Sequence, residues 1–250
     1  MKIFDLHNDA LTCDQKMTNP NAIYAIWTTK LSLDAVEEIF THNKNKMLAI
    51  EDCGIFADDV KKINAFDIRY ASLTWNFYNG LAGGVYCNDG LSEVGRQLID
   101  NLNEKGVPID TAHLNQKSFF DVLDIAEKII CTHTCFYDVN KHPRNLTSDQ
   151  ITAIIKNGGV IGICFVGDFL GEPTIDAIIR HVDWFLSKFG DKNLCIGTDF
   201  YGTSNLPNNL TLYEHFDKLA LAMIRQGYRD STISKILYSN ANAYFNNYKG

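Results

Sequence analysis

Basic residues are scarce in this sequence. It has 23 lysines and arginines against 30 acidic residues, which gives its 250 residues a net charge of −7. A nucleic-acid-binding protein normally carries a concentrated basic surface, so this composition argues against that class. No apolar run is long enough to span a membrane, and the first residues are strand-like rather than those of a secretory signal. We therefore expect a cytoplasmic protein that binds neither nucleic acid nor membrane.

Paired cysteines are also missing. The seven cysteines are an odd number, and none forms the Cys-x-x-Cys spacing of a structural zinc module. Their positions within apolar segments predict reduced, buried thiols. In the stretch CTHTC, Cys131, His133 and Cys135 alternate and could share one face of a strand. We interpret Cys131 as a structural residue of that strand and leave the role of Cys135 open.

No glycine-rich phosphate loop, linker or low-complexity segment interrupts the chain. Instead, eight short apolar runs alternate with mostly amphipathic helical stretches, which predicts a (β/α)8 TIM-type barrel of one domain, residues 1–250. A thin helix is expected after Asp52, and extra C-terminal helices at about residues 212–226 and 231–245. An open doubly wound sheet is the alternative, which the missing phosphate loop disfavours. The apolar runs are KIFDLHND, AIYAIWTT, KMLAIED, RYASLTW, VPIDTAH, KIICTHT, GVIGICF and NLCIGTD.

Ligand-type side chains recur where these predicted strands end. In FDLHNDAL, His7 and Asp9 are two residues apart, so a strand would point both to the same side. The ends of the other strands carry Glu51, Trp75, His113, His133 and Asp199. Functional groups of such barrels gather at this edge. Three carboxylates there need a countercharge, which a metal pair would supply, and imidazole with carboxylate suits zinc, manganese or iron.

The order and spacing of several motifs resemble the membrane (renal) dipeptidase family of the amidohydrolase superfamily. The similarity covers almost the whole chain. The motifs that carry it are HND, IED, SLTWNFYNGLAGG, GLSEVGRQLIDNLNEKGVPIDTAHL, THT, HPRNLTSDQITAIIKNGGVIGICF and IGTDFYG. The resemblance implies a (β/α)8 barrel that holds two zinc ions.

Carried over position by position, the resemblance also implies the metal ligands. His7 and Asp9 correspond to ligands of the first zinc, and His113 and His133 to ligands of the second. Glu51 corresponds to the carboxylate that bridges the two ions and takes part in catalysis.

The remaining matched positions concern the substrate. Asp199 corresponds to the acidic residue beside the metal-bound water, which moves a proton to the leaving amine. Arg144 corresponds to the arginine that binds the substrate's free carboxylate, a task suited to a bidentate guanidinium. Trp75 stands where some members carry a substrate-binding histidine, and Tyr201 where an aspartate is often found.

The implied function is hydrolysis of dipeptides with a free C-terminal carboxylate, including those with a C-terminal D-residue, by a hydroxide that bridges two zinc ions. The partner would then be a small dipeptide, and the family's frequent pairing makes a homodimer an expectation. Two alternatives stay open. The barrel could act on another amide or a lactone, or it could be an inactive barrel that binds a ligand or partner.

Overall fold

The barrel predicted from the sequence is present and closed. The computed structural model describes residues 1–16, 18–19 and 21–246, so the predicted domain 1–250 includes a few residues outside the described part. Eight parallel strands pair in chain order, and β8 pairs with β1 to close the barrel. The strands are β1 (Asp5–Asn8), β2 (Ala22–Trp27), β3 (Met47–Glu51), β4 (Ala71–Ser72), β5 (Ile109–Asp110), β6 (Ile129–Thr134), β7 (Ile161–Ile163) and β8 (Leu194–Ile196).

Helices cover most of the connections between strands and follow the last strand, as predicted. A π-helical turn, Lys235–Ser239, joins the last two of them. The helices are α1 (Leu33–His42), α2 (Glu93–Glu104), α3 (Gln116–Leu123), α4 (Ser148–Lys156), α5 (Gly167–Leu170), α6 (Ile175–Phe189), α7 (Phe216–Arg225), α8 (Asp230–Ser234) and α9 (Asn240–Asn246).

The thin helix predicted after Asp52 is present as 3-10 turns and not as an α-helix. The chain forms two 3-10 helices there, Cys53–Phe56 and Val60–Ala65. Each begins at an aspartate whose side chain accepts a hydrogen bond from the backbone N–H two residues ahead, at Asp52 and Asp59. Such local aspartate turns compete with regular helix formation, which accounts for the tighter, shorter turns.

Helix α4 shows how local sequence signals set element boundaries. The Thr147 hydroxyl accepts a hydrogen bond from the backbone N–H of Gln150, and the Gln150 side chain accepts one from the N–H of Thr147. Such a cap typically contributes about 1 kcal/mol. The helix stops before Gly158, whose φ of +83° is accessible to glycine at little cost.

Four strands end before the residue that the sequence places at their ends. Asp9 lies one residue beyond β1, and Trp75, His113 and Asp199 lie beyond β4, β5 and β8, in the loops that follow them. His113 and Asp199 have φ values of 71° and 59°, in the left-handed region, which a strand ladder cannot include. The chain therefore leaves the sheet just before it presents these side chains.

The two ends of the barrel differ in chemistry. At the amino ends of the strands an apolar cluster fills the interior, and Phe4 packs against Phe245 of α9 with ring centroids 5.9 Å apart. Helix α9 therefore closes this end. Polar residues collect at the opposite, carboxyl end, which leaves that end for chemistry.

The cysteines follow the predicted pattern only in part. All seven are free thiols, and five of them are buried. Cys13, however, is exposed and Cys87 is half-buried, which corrects the expectation that all are buried. Cys135 lies in the core, where its thiol donates to the backbone carbonyl of Cys164. This hydrogen bond indicates a structural role for Cys135.

A buried histidine on α6 makes stability depend on pH. The Nδ1 atom of His181 accepts the backbone N–H of Phe136 at 3.2 Å, and its Nε2 donates to the carbonyl of Leu170 at 3.3 Å. The ring is neutral in this arrangement. Burial is the main reason that the pKa of His181 falls to about 4.

We therefore expect an acid-dependent loss of stability. Since the folded pKa lies below the unfolded value of about 6.5, the contribution is complete above pH 6.5 and decreases as the pH falls toward 4, by up to about 3 kcal/mol. Urea unfolding at several pH values should show a flatter pH dependence for His181→Gln than for the wild type. Exposed His42 supplies the control, His42→Gln, which should keep the wild-type slope. Equal slopes for all three proteins would contradict the assignment.

Candidate functional site

The candidate residues meet around one cavity at the carboxyl end of the barrel. The cavity has a volume of about 330 Å³. Six of the eight predicted site residues line it, namely Asp9, Glu51, Trp75, His113, Arg144 and Asp199. The other two, His7 and His133, are buried next to the lining carboxylates. Loops that are far apart in sequence thus contribute to a single site.

One carboxylate oxygen lies among three imidazoles. The Oε1 atom of Glu51 is 3.0 Å from Nε2 of His113, 3.7 Å from Nε2 of His133 and 3.8 Å from Nε2 of His7. Asp9 Oδ2 lies 3.6 Å from the same His7 nitrogen. The side chains of His7 and Asp9 therefore turn to the same side.

The hydrogen bonds of the outer ring nitrogens define the tautomers of two histidines. The hydroxyl of Tyr70 donates to the carbonyl of Leu6, so it accepts from Nδ1 of His7 at 2.9 Å. The amide oxygen of Asn76 accepts from Nδ1 of His113 at 2.8 Å. With the proton on Nδ1, each ring turns its Nε2 atom toward the cluster, where that atom can bind a metal ion or take up a second proton.

The third histidine is arranged in the same way. The Thr132 hydroxyl donates to Oδ2 of Asp110 at 2.6 Å, so it accepts from Nδ1 of His133 at 3.0 Å. Nε2 of His133 therefore also carries a lone pair, and it lies only 2.9 Å from Nε2 of His113. Two lone pairs this close, beside a carboxylate, repel each other unless a cation or proton lies between them.

These residues fit divalent metal ions. Within the described part of the chain, His7 Nε2 and Asp9 Oδ1 are buried without a hydrogen-bond partner, which is expected of atoms that bind a metal ion. Two ligand groups stand out, Glu51 with His113 and His133, and His7 with Asp9 and Asp199. Histidine ligands typically donate their second N–H to a neighbouring acceptor, as all three do here.

Asp110 also lies close to His7 and His133, but its oxygens are committed elsewhere. Oδ1 accepts the backbone N–H groups of Thr132 and Ala112, and Oδ2 accepts the Thr132 hydroxyl. A carboxylate with these bonds is better suited to holding Thr132, and through it His133, than to binding metal.

Buried charge dominates the electrostatics of the cluster. Burial raises the pKa of Glu51 well above its usual range, and burial together with the charge of Asp9 raises the pKa of Asp199 to about 7. Burial alone would lower the pKa of His7, but Glu51 and Asp9 outweigh it and raise that pKa to about 10. The buried carboxylates would therefore strongly stabilise a positive charge in this part of the cavity.

The loop after β8 comes very close to this charge. A Cβ atom at Gly202 would collide with Oδ1 of Asp199 and Oδ2 of Asp9. Both carboxylates therefore face the same small space, and only glycine at position 202 leaves room for them. Tyr201, where the family pattern often has an aspartate, has a φ of 71° and binds the Cys13 thiol through its carbonyl oxygen.

Arg144 is a buried cation on the cavity wall. Its side chain donates one hydrogen bond to the carbonyl of His133 at 3.3 Å and lies 5.2 Å from the ring centroid of Phe169. Its Nε is buried without a partner, and within the described ranges no carboxylate pairs with it. A guanidinium with spare donors on a cavity wall is suited to binding an anionic ligand.

Trp75 forms part of an aromatic wall. Its ring centroid lies 5.1 Å from that of Trp27 and 5.9 Å from that of His113. Trp27 could not be recognised as a site residue from the sequence, and neither could Tyr70, Asn76 and Thr132, which orient the histidines. Each is a single residue outside any spacing pattern typical of a binding or catalytic site.

A closed parallel barrel with carboxylates and imidazoles gathered at its carboxyl end is an arrangement typical of metal-dependent hydrolases. A family model described as membrane dipeptidase, peptidase family M19, matches residues 24–246. The chain belongs to this family, which confirms the resemblance seen in its motifs. Family membership makes it a metallopeptidase, a hydrolase of peptide bonds.

Relatives by sequence are moderately similar. An uncharacterised protein of Klebsiella pneumoniae is 29% identical over 220 residues, which are 79% of this chain and 81% of the relative. A dipeptidase of Claviceps purpurea is 24% identical over 83% of this chain and 52% of its own length. An uncharacterised dipeptidase of Schizosaccharomyces pombe is 27% identical over 67% and 43%. The chain thus spans about half the length of the two fungal relatives.

Solved structures share the fold. A metallopeptidase from Rhodobacter sphaeroides, liganded with a phosphinate mimic of the dipeptide L-Ala-D-Ala, superposes with a TM-score of 0.84 at 19% identity. The match covers 98% of this chain and 99% of that one. An amidohydrolase from Pseudomonas aeruginosa gives a TM-score of 0.82 at 17% identity, over 98% and 97%. Among the described helices, none has the length and apolar character needed to cross a membrane.

Proposed function

We propose that this protein is a zinc-dependent dipeptidase that hydrolyses dipeptides with a free C-terminal carboxylate. One observation carries the proposal. Three Nε2 atoms converge on Glu51 at a cavity whose wall also holds the buried guanidinium of Arg144, whose Nε has no hydrogen-bond partner among the described residues. The first group is suited to binding cations, and the second to binding the anionic end of a small substrate.

The ligand groups support two zinc ions. His7 and Asp9 would hold one ion, His113 and His133 the other, and Glu51 would be shared between them. Imidazole and carboxylate ligands suit zinc. When bound, the ions would supply Lewis acidity and positive charge at the scissile peptide group.

The chain's own residues then position and protonate the substrate. Arg144 binds the C-terminal carboxylate, which favours dipeptides over longer chains. Asp199 accepts a proton from the attacking water and passes it to the leaving amine as the C–N bond breaks. The water oxygen ends in the new carboxylate, and its protons end on the amine. Trp75 packs beside His113 and excludes solvent from this side of the cavity.

The proposal includes substrates with a C-terminal D-residue. The support is the L-Ala-D-Ala mimic carried by the Rhodobacter sphaeroides metallopeptidase, whose fold this chain shares over 98% of its length. Comparing L-Ala-L-Ala with L-Ala-D-Ala as substrates tests this part separately.

Metal removal tests the proposal directly. We expect about two zinc ions per chain, loss of dipeptide hydrolysis on chelation and its return with zinc. Glu51→Gln should lower both the metal content and the activity, the latter by at least about 100-fold. Elemental analysis and a dipeptide assay measure these quantities. Activity that survives complete chelation would contradict the proposal, and turnover of lactones or cyclic amides without dipeptides would shift the assignment to another hydrolase.

A further inference from the structure

Four aromatic rings form a continuous wall from the metal-ligand cluster to the surface. We call Trp27, Trp75, Phe77 and Tyr86 the aromatic wall. Successive ring centroids are 5.1, 6.5 and 5.8 Å apart. Trp27, Trp75 and Tyr86 line the cavity, while the side chains of Phe77 and Tyr86 remain 58% and 53% exposed. Large apolar groups are thus left open to solvent at the cavity mouth, as at binding sites.

The barrel topology places this wall across the cavity from Arg144. In a closed barrel of eight strands paired in chain order, β2 lies opposite β6. Trp27 is the last residue of β2, and Arg144 lies in the loop that follows β6. Trp75 follows β4 and reaches Trp27 over the end of β3, which carries Glu51. The metal-ligand cluster therefore lies between the aromatic wall and the guanidinium.

This inference rests on the proposed function and names its substrates more closely. A dipeptide whose carboxylate binds Arg144 and whose peptide group lies at Glu51 extends by about 3.5 Å per residue. Its N-terminal residue then reaches the opposite side of the cavity. We infer that the aromatic wall binds the N-terminal side chain and selects dipeptides in which that side chain is large and apolar, above all aromatic.

The wall suits aromatic side chains for a physical reason. Aromatic pairs prefer contacts with ring centroids 4.5–7 Å apart, and the wall's own rings meet within this range, tilted by 44°, 58° and 46° to one another. A further ring can extend the series, whereas an alanine methyl group contacts little of it. Apolar pockets discriminate such side chains by roughly 10–200-fold.

Competing dipeptides test the inference on the zinc-loaded protein. We expect kcat/KM for L-Phe-L-Ala to exceed that for L-Ala-L-Ala by at least about tenfold. In Trp75→Leu, this ratio should fall by about fivefold or more. Tyr78 supplies the matched control, because it is an exposed aromatic on the same loop that does not line the cavity. Tyr78→Leu should keep the wild-type ratio.

The outcomes separate the two proposals. Equal hydrolysis of both dipeptides by the wild type would overturn the inference and leave the dipeptidase proposal standing. Equal changes of the ratio in Trp75→Leu and Tyr78→Leu would also overturn it. If the wild type hydrolyses neither dipeptide, calorimetric titration with both decides. Tenfold tighter binding of L-Phe-L-Ala supports the aromatic wall while the proposed reaction fails, and equal or absent binding overturns both.

Discussion

Replacing Asp199 with asparagine should lower kcat for dipeptide hydrolysis by about 10²–10⁴-fold, the usual effect of losing a general acid–base group. Asparagine has nearly the same shape as aspartate but cannot carry a proton between water and amine. Its amide also tolerates the left-handed backbone that Asp199 adopts, with φ of 59°. The substitution therefore changes the proton transfer and spares the local fold.

Metal content decides between two roles for Asp199. One of its carboxylate oxygens lies within 4.8 Å of ligand atoms of His7 and Asp9, so Asp199 could bind an ion together with them instead of moving a proton. If the proton-transfer role is correct, Asp199→Asn should retain the wild-type zinc content in elemental analysis. Loss of one zinc along with activity would make Asp199 a ligand and contradict the assignment.

A second acid in the same cavity provides the control. Asp168 also lines the cavity, but its Oδ1 atom accepts a hydrogen bond from the side chain of Asn205. Asp168→Asn makes the same chemical change without removing the group beside Asp9. We expect its effect on kcat to be less than about tenfold, so a larger effect would show that general cavity charge, and not the position of Asp199, matters.

The sequence carried enough information for the barrel because its periodic signals are local. Alternation predicted β1 with His7, and the capping pair Thr147 and Gln150, which are three residues apart, is a local signal of the same kind at the start of α4. The exact ends of β4 and β8 could not be predicted from the sequence. They depend on where the backbone turns left-handed or leaves the ladder, as it does before Asp199, and aspartate permits that conformation without requiring it.

The site, too, could be predicted from the sequence only in part. Strand-end positions identified the ligand-type side chains, since the carboxyl ends of all strands meet at one edge of the barrel. The residues that orient them were not identifiable, because Tyr70 and Thr132 act only through contacts made on folding. Tyr70, for example, lies 63 positions from the His7 ring that it orients. Likewise, Trp27 and Arg144 lie on opposite sides of the cavity only once the barrel closes.

Arg144→Met should lower kcat/KM for dipeptides with a free carboxylate by about 10²–10³-fold, because losing one partner of a buried charge pair typically costs 2–5 kcal/mol. Most of the loss should appear in KM, since the carboxylate is bound before and during the reaction. Steady-state kinetics with L-Ala-L-Ala measures the effect. Arg180, which is exposed and pairs with Glu172, supplies the control Arg180→Met, for which we expect wild-type kinetics.

The interaction itself can be isolated by changing both partners. Amidation of the dipeptide removes the substrate's negative charge, so wild-type kcat/KM should fall for L-Ala-L-Ala amide as it does for Arg144→Met with the free acid. If the two groups bind each other, the combined change should cost little more than either single change. If instead the two fold-decreases in kcat/KM multiply, Arg144 acts elsewhere, for instance by holding the His133 carbonyl that it contacts at 3.3 Å. The cycle therefore separates a substrate-binding arginine from one that supports only the loop after β6, which measurements on either partner alone cannot do.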